Sequence, residues 1–297
     1  MKTETIELGN TRIAVVGASG QLGSELCRQY RQTIPLSRPT VELTDLASLG
    51  RALRQAAPQV VINTAGFTNV DDAENQPELC WSVNAHAVEN LVRLCQQLDC
   101  LFVQLSTDYV FHGDASRTTP FTETEMPAPG GIYAESKGAA EMAARSYQKH
   151  LIVRTCGLYG QSISPGRRKN FVDTMLDLGQ THRQLRVVDD QTCTPSYVPH
   201  VARAILFLSQ QRACGTFHVV NAGSTTWYGF AQQIFRLVNL PVEIVPITSK
   251  EYAAKAARPA YSVLDTHKYL ALGGPPLPAW QQALSEYLDR RSGGPDG

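Results

Sequence analysis

No stretch of the 297-residue chain approaches the roughly 20 consecutive apolar residues that span a bilayer. The opening MKTETIELGN also lacks the apolar core of a secretory signal. Neither charge sign is in excess: 27 Lys and Arg balance 27 Asp and Glu. That balance gives no electrostatic case for a nucleic-acid polymer or an anionic membrane surface. The seven cysteines, at positions 27, 80, 95, 100, 156, 193 and 214, are odd in number, lack CxxC spacing and sit mostly inside apolar patterns. They read as free buried thiols in a reducing cytoplasm rather than disulfides or zinc ligands. The histidines, at 86, 112, 150, 182, 200, 218 and 267, show no ligand spacing, so no metal is expected. Repeats and low-complexity tracts are missing too. What the composition does contain is 43% hydrophobic residues, enough for one large α/β unit or two interlocked domains.

Short apolar runs read as buried strands at Arg12 to Val16, Thr33 to Leu36, Val60 to Asn63, Leu101 to Leu105 and Leu151 to Arg154. Helical periodicity lies between them: after the Gly17 to Gly23 turn through Leu26 and Tyr30, Leu46 to Gln55, Leu79 to Gln97, and Tyr133 to Tyr147. Strands alternating with helices predict βαβ units and a Rossmann-type, doubly wound parallel α/β sheet. Past residue 157 Pro and Gly become more frequent, and helices at Phe171 to Leu178, Pro199 to Gln210 and Trp227 to Val238 are spaced less regularly. The expected organisation is a dinucleotide-binding domain, 1–157, and a smaller C-terminal α/β lobe, 158–297, with some segments returning to the first sheet. The polar tail Arg290 to Gly297 is expected to fray.

Gly17, Gly20 and Gly23 form GxxGxxG between the first strand and its helix. A dinucleotide site needs a tight turn, close backbone approach to a pyrophosphate, and a helix N-terminus whose free N–H groups face the phosphates. About 20 residues on, where an acid would hold the ribose 2′-OH of NAD, the chain has Ser37 and Arg38 instead. A hydroxyl and a guanidinium suit a 2′-phosphate, so NADPH is expected, with NADH as the alternative.

Tyr133 and Lys137 lie at i, i+4 on one helix face. Reducing a ketone requires a proton for its oxygen, and free tyrosine, with a pKa of about 10, gives one sluggishly. A lysine cation about 4 Å away contributes around 4 kcal/mol at an effective dielectric near 20. That predicts a tyrosine pKa lowered by up to ~3 units. Thr107 follows the strand ending at Leu105, at the carboxyl edge where open α/β sheets bind ligands. Its hydroxyl can reach a substrate carbonyl and help place Tyr133.

GASGQLGSEL, NTAGFTNVDDAE, STDYVFHGD, IYAESKGAAE, VVDDQTCTPSYV, NAGSTTWYGFAQQIF and RPAYSVLDTHK together resemble the dTDP-4-dehydrorhamnose reductase family of extended short-chain dehydrogenase/reductases. The resemblance runs from residue 12 to about 270. It implies reduction of a dTDP-4-keto-6-deoxysugar, the rhamnose precursor, by a nicotinamide cofactor. Gly20, Gln21 and Leu22, with Ser19 in the same turn, would face the cofactor phosphates. Asp45 and Leu46 would border the adenine, and Ala65 and Gly66 the ribose side. Thr68, Val70 and Tyr109 would border the nucleotide sugar. Tyr133 would be the proton donor, Lys137 would hold the nicotinamide ribose and tune Tyr133, and Thr107 would assist. Asn84 admits two readings, a proton relay or an amide satisfying backbone groups. Asn170 is included among the expected substrate contacts.

One position departs from the family. Its members commonly carry an aromatic residue where this chain has Gly157, which predicts a roomier sugar pocket. Arg167, Arg168 and Lys169 read as a solvated run, with a pyrophosphate contact as the other reading. Trp227 and Tyr228 read as packing residues, with Thr225 or Thr226 capping their helix. Two other functions were weighed. A dehydratase would follow the threonine with Asp-Glu, whereas Asp108 is followed by Tyr109. A non-catalytic, NADP-binding regulatory subunit would not need Thr107, Tyr133 and Lys137 intact. The expected partner is a nucleotide sugar, and the chain is expected to be a monomer or a homodimer.

Overall fold

A computed structural model describes residues 9–112, 116–161 and 169–292. The main sheet has six strands, β1 (Ile13–Val16), β2 (Thr33–Leu36), β3 (Val60–Asn63), β4 (Leu101–Thr107), β5 (His150–Thr155) and β6 (Gly215–His218). Their spatial order is β6-β5-β4-β3-β1-β2, and every pairing is parallel. IAVV in β1 and VVIN in β3 are buried at every residue, as a parallel sheet covered on both faces requires. The alternation of side chains divides them between two layers. Ile13, Val15, Ile62 and Val103 meet Leu22, Leu26, Val201 and Ile205 on one face. Ala14, Val16, Val61 and Phe102 meet Leu49, Leu53, Leu91 and Ala140 on the other.

From β1 the chain moves outward to β2, then crosses back to β3 on the other side of β1. The reversal opens a crevice at the carboxyl ends of β1 and β3, the switch point at which such sheets bind ligands. The expected doubly wound α/β sheet is therefore present.

A separate aromatic cluster, including Tyr159, Tyr197, Phe230 and Tyr287, is built by the helices Phe171–Thr181, Trp227–Leu237 and Trp280–Ser292. Beside it, Gln184–Val188 pairs in parallel with Glu243–Ile247. Between these segments the chain returns to the main sheet through the helix Val198–Gln210 and β6.

Two elements differ from the sequence expectation. The helix expected over Leu79 to Gln97 runs Pro77–Trp81, passes through a π-turn at Ser82–His86 and continues over Ala87–Leu98. The start of the polar tail is not frayed: Arg290 and Arg291 belong to the helix Trp280–Ser292. Glu286 and Asp173 pair with them at 2.8 and 3.1 Å, while Leu284, Tyr287 and Leu288 of the same helix are buried. Residues 293–297 lie outside the described residues.

Candidate active site

The glycine turn closes the switch point. Gly17 holds φ +81°, and a Cβ there would come within 2.6 Å of the Ala65 nitrogen. A Cβ on Gly23 would come within 2.3 Å of the Gly17 carbonyl. Only glycine lets the ends of β1 and β3 and the helix Gln21–Gln29 approach so closely. Gly20 stands at the N-cap of that helix with no side-chain hydrogen bond capping it, so the first N–H groups stay available to an anion. Leu22 contributes only its backbone here, because its side chain is buried in the core. Ser37 is half-buried and Arg38 exposed just beyond β2, whose Leu36 carbonyl accepts from Gly17 N–H at 2.9 Å. Asp45 spends its carboxylate capping the helix Leu46–Ala56, accepting from Ala47 and Ser48 at 2.9 and 3.1 Å. Leu46 beside it is 45% exposed. Ala65 and Gly66 follow β3, both half-buried.

Across the crevice, Thr107 ends β4 and caps the short turn Asp108–Val110 by accepting from Tyr109 N–H at 3.2 Å. Tyr133 and Lys137 project from the helix Ile132–Arg145, whose first N–H groups include Ile132, held by Glu74 at 2.9 Å. The Tyr133 and Tyr109 rings meet edge to face at 5.7 Å. Lys137 Nζ donates to the Leu105 carbonyl at 2.7 Å. The sheet edge and the helix thus bring Thr107, Tyr133 and Lys137 together.

The electrostatics correct one expectation. Tyr133 stands above the ordinary phenol value, pushed up by burial, with hydrogen bonding to Thr107 opposing and the Asp108 charge reinforcing. Lys137 was expected to lower it, but its ammonium is committed to the Leu105 carbonyl, and burial brings Lys137 itself down to about 8. Desolvation is the largest influence on each group.

Asn84 sits in the π-turn. Its Oδ1 accepts from Phe67 N–H at 2.8 Å, and its Nδ2 donates to the Phe67 carbonyl and Ser136 Oγ, each at 3.0 Å. Those bonds fit the backbone-satisfying reading and pin the loop after β3. That loop carries exposed Thr68 and half-buried Val70. Asp71 of the same loop makes a two-pronged pair with Arg258 at 3.1 and 2.7 Å, tying in a distant segment. Thr226 caps its helix by accepting from Gly229 N–H at 3.1 Å. Trp227 packs on Phe171 with ring centroids 4.8 Å apart.

Two substrate expectations meet a different geometry. Asn170, placed among the substrate contacts, caps the helix Phe171–Thr181 and donates to the Gly160 carbonyl, Asp173 and Tyr287. These bonds and the cap to Asp173 N–H, two of the four made to Gly160 and Tyr287 outside the helix start, occupy a buried side chain. Gly157 does not open a larger pocket on its own. It holds φ +51°, and a Cβ there would meet Pro195 Cα at 3.2 Å and the Trp227 ring at 3.3 Å. The absent side chain is matched by an indole arriving from another helix. Arg167 and Arg168 lie outside the described residues, and Lys169 pairs with Asp177.

Among the described residues, no group of three His, Cys, Asp or Glu could hold a metal. No helix there is long and apolar enough to cross a membrane. All seven cysteines are free, five of them buried. Sequence reasoning missed the side chains behind Thr107: Asp108, Cys156 and Ser262. The available signal was Asp108 itself, a carboxylate directly after the threonine on a buried strand end.

A family model described as the RmlD substrate binding domain matches residues 11–292. The chain belongs to that family. It is 37% identical over 287 residues to the spore coat polysaccharide biosynthesis protein SpsK of Bacillus subtilis, covering 95% of this chain and 98% of the relative. It is 35% identical over 286 residues to the dTDP-4-dehydrorhamnose reductase of Mycobacterium tuberculosis, covering 93% and 92%. The crystal structure of dTDP-4-dehydrorhamnose reductase from Bacillus anthracis in complex with NADP matches with a TM-score of 0.89 at 33% identity, over 94% of this chain and 99% of that one. Membership bears out the resemblance read from the motifs and places the chain among oxidoreductases.

Proposed function

We propose that this chain reduces the 4-keto group of dTDP-4-dehydro-L-rhamnose to give dTDP-L-rhamnose, using NADPH. The observation that carries the reading is the meeting of Thr107, Tyr133 and Lys137 beside the glycine-lined switch point. The Gly17 to Gly23 turn fits a dinucleotide, because its glycines let the ends of β1 and β3 and the following helix close up tightly and the helix start is uncapped. NADPH bound there supplies the hydride. The helix N–H groups at Gln21 and Leu22 hold the pyrophosphate, Ser37 and Arg38 take the 2′-phosphate, Asp45 and Leu46 border the adenine, and Ala65 and Gly66 flank the ribose. Lys137 holds the nicotinamide ribose. Tyr133 gives its phenolic proton to the ketone oxygen as carbon accepts hydride, leaving an alcohol and a phenolate, and Thr107 fixes the Tyr133 hydroxyl. Thr68, Val70 and Tyr109 border the nucleotide sugar. In this reading residues 1–157 serve the cofactor and 158–297 mainly the substrate, in a cytoplasmic setting supported by the free thiols.

The purified protein, mixed with NADPH and enzymatically generated dTDP-4-dehydro-L-rhamnose, should oxidise NADPH stoichiometrically with the ketosugar. Tight NADPH binding without turnover would favour a regulatory subunit. A second reading, reduction of another nucleotide-4-keto-6-deoxysugar, is favoured by Gly157 with Trp227 against it. A panel of dTDP-, GDP- and UDP-4-ketosugars separates the two.

A further inference from the structure

Asp108 is 2% exposed and, among the described residues, has no cationic hydrogen-bond partner. Its Oδ1 accepts from Thr107 Oγ1 at 3.0 Å, and its Oδ2 accepts from Ser262 Oγ at 2.6 Å and Cys156 Sγ at 2.9 Å. These donors come from three separated parts of the chain, so the carboxylate is held in a built socket. So buried, with both oxygens occupied by protein donors, it is placed to act through Thr107 and not on substrate directly. The Cys156 thiol, hydrogen-bonded with Cys193 and buried, is pushed well above the ordinary thiol value and stays a donor. Asp108 is raised by burial, with its three donors opposing.

Thr107 has one hydroxyl proton and two claimants, Asp108 Oδ1 and the Tyr133 oxygen. We propose that Asp108 is a positioning residue that holds the Thr107 proton while Tyr133 is protonated and releases it to the phenolate once Tyr133 has given its proton away. In the resting state Thr107 donates to Asp108 and accepts from Tyr133 O–H, which keeps Tyr133 an acid. When the phenolate forms, the Thr107 hydroxyl rotates to it, and Ser262 and Cys156 still satisfy Asp108. The Thr107 O–H stays intact throughout and only changes acceptor; the proton that leaves Tyr133 goes to the ketone oxygen as its carbon accepts hydride. This inference rests on Tyr133 being the proton donor of the proposed reduction. The other groups bearing on Tyr133 are Cys80 and Cys156, both neutral thiols raised by their surroundings, and the ring of Tyr109. Tyr109 is in turn influenced by Arg258.

The test is the ultraviolet phenolate titration of Tyr133 with oxidised NADP bound, read as the difference between each protein and its Tyr133→Phe counterpart. Asp108→Asn should bring the titration down by roughly one pH unit or more, since a like charge is lost and a neutral amide oxygen competes more weakly than a carboxylate for the Thr107 proton. Ser262→Ala should move it up by a few tenths of a unit, because Asp108 then holds the Thr107 proton more tightly. If Asp108→Asn does not fold, Ser262→Ala carries the test alone. An unchanged titration in either folded variant, or shifts of the same sign in both, overturns the proposal. The titration needs no sugar substrate, so absent turnover would count against the reductase reading and leave this inference standing.

Discussion

Two carboxylates are buried within the same small region, and their surroundings are opposite. Glu141 is fully buried and meets Arg154, also fully buried, through two bonds of 2.8 and 2.7 Å. Ser106 and Arg145 complete its shell at 2.6 and 2.9 Å. Burial pushes Glu141 up, but the Arg154 hydrogen bonds and charge prevail and hold it below the ordinary carboxylate value. Asp108, just past β4 and two residues from Ser106, has only neutral donors among the described residues and stands above its ordinary value. A neutralised buried charge fixes β4, β5 and the Ile132–Arg145 helix in place. An unneutralised one keeps its field for neighbouring groups to feel, and the neighbour here is Tyr133. The two carboxylates meet the adjacent strand-end residues Ser106 and Thr107, and structure and reactivity are divided between them.

The largest effect should fall on the paired side. Arg154→Met leaves Glu141 buried with only the partly exposed Arg145, and should cost about 3 kcal/mol of stability in urea unfolding. Replacing both partners, with Glu141→Leu added, should recover a good part of that loss. No recovery would mean that Glu141 is held by more than its charge partner. The reactive side should respond in rate and not in stability. Tyr133→Phe should lower kcat by roughly 10²-fold or more, while cofactor affinity and the unfolding midpoint stay put. Near-normal turnover would remove Tyr133 as the proton donor, and a large stability loss would blur the division between the two carboxylates.

Much of the frame could be read from residue order. β2 and β3 fall on the boundaries that the apolar runs predict; for β3 the reason is that a strand buried on both faces must be continuous in hydrophobic residues, while β2, at the sheet edge, buries only Leu36. The glycine turn and the i, i+4 spacing of Tyr133 and Lys137 are equally local. What escaped the reading was set by contacts between distant segments. Ser262 reaches Asp108 from 154 residues away, and Trp227 fills the space beside Gly157 from a different helix. Desolvation escaped it as well. The spacing of Tyr133 and Lys137 suggested a lowered phenol, yet only the folded environment shows that Lys137 is tied to the Leu105 carbonyl. Asn170 resembled a ligand contact in a loop and is a helix cap, a role that depends on Gly160 and Tyr287 arriving beside it.

A third charge sharpens the contrast because it is neither buried nor paired inside the protein core. Arg38 is exposed beyond β2. If its guanidinium binds the 2′-phosphate, Arg38→Ala should weaken NADPH by roughly tenfold, the loss of a charge-assisted contact, and leave NADH nearly unchanged. Equal losses in titrations with the two cofactors would strip Arg38 of that role and make cofactor choice a property of other residues.

The smallest effect should come from the residue that belongs to both regions. Lys137 lies one helical turn before Glu141, whose charge supports its ammonium, while burial works against it and brings it to about 8. A lysine with a lowered value is charged below that pH and neutral above it. In the free protein the cation proposed to hold the nicotinamide ribose is therefore half lost near pH 8. The profile of kcat/KM for NADPH, which reports groups of the free enzyme, should be level through neutrality and fall by about half there. Above that it should decline toward tenfold per unit. Lys137→Arg, which cannot lose its proton in this range, should flatten that decline even if its bulk lowers the plateau. A decline that survives in the arginine variant would assign the limb to another group. It would also break the link by which the paired carboxylate reaches the reactive side.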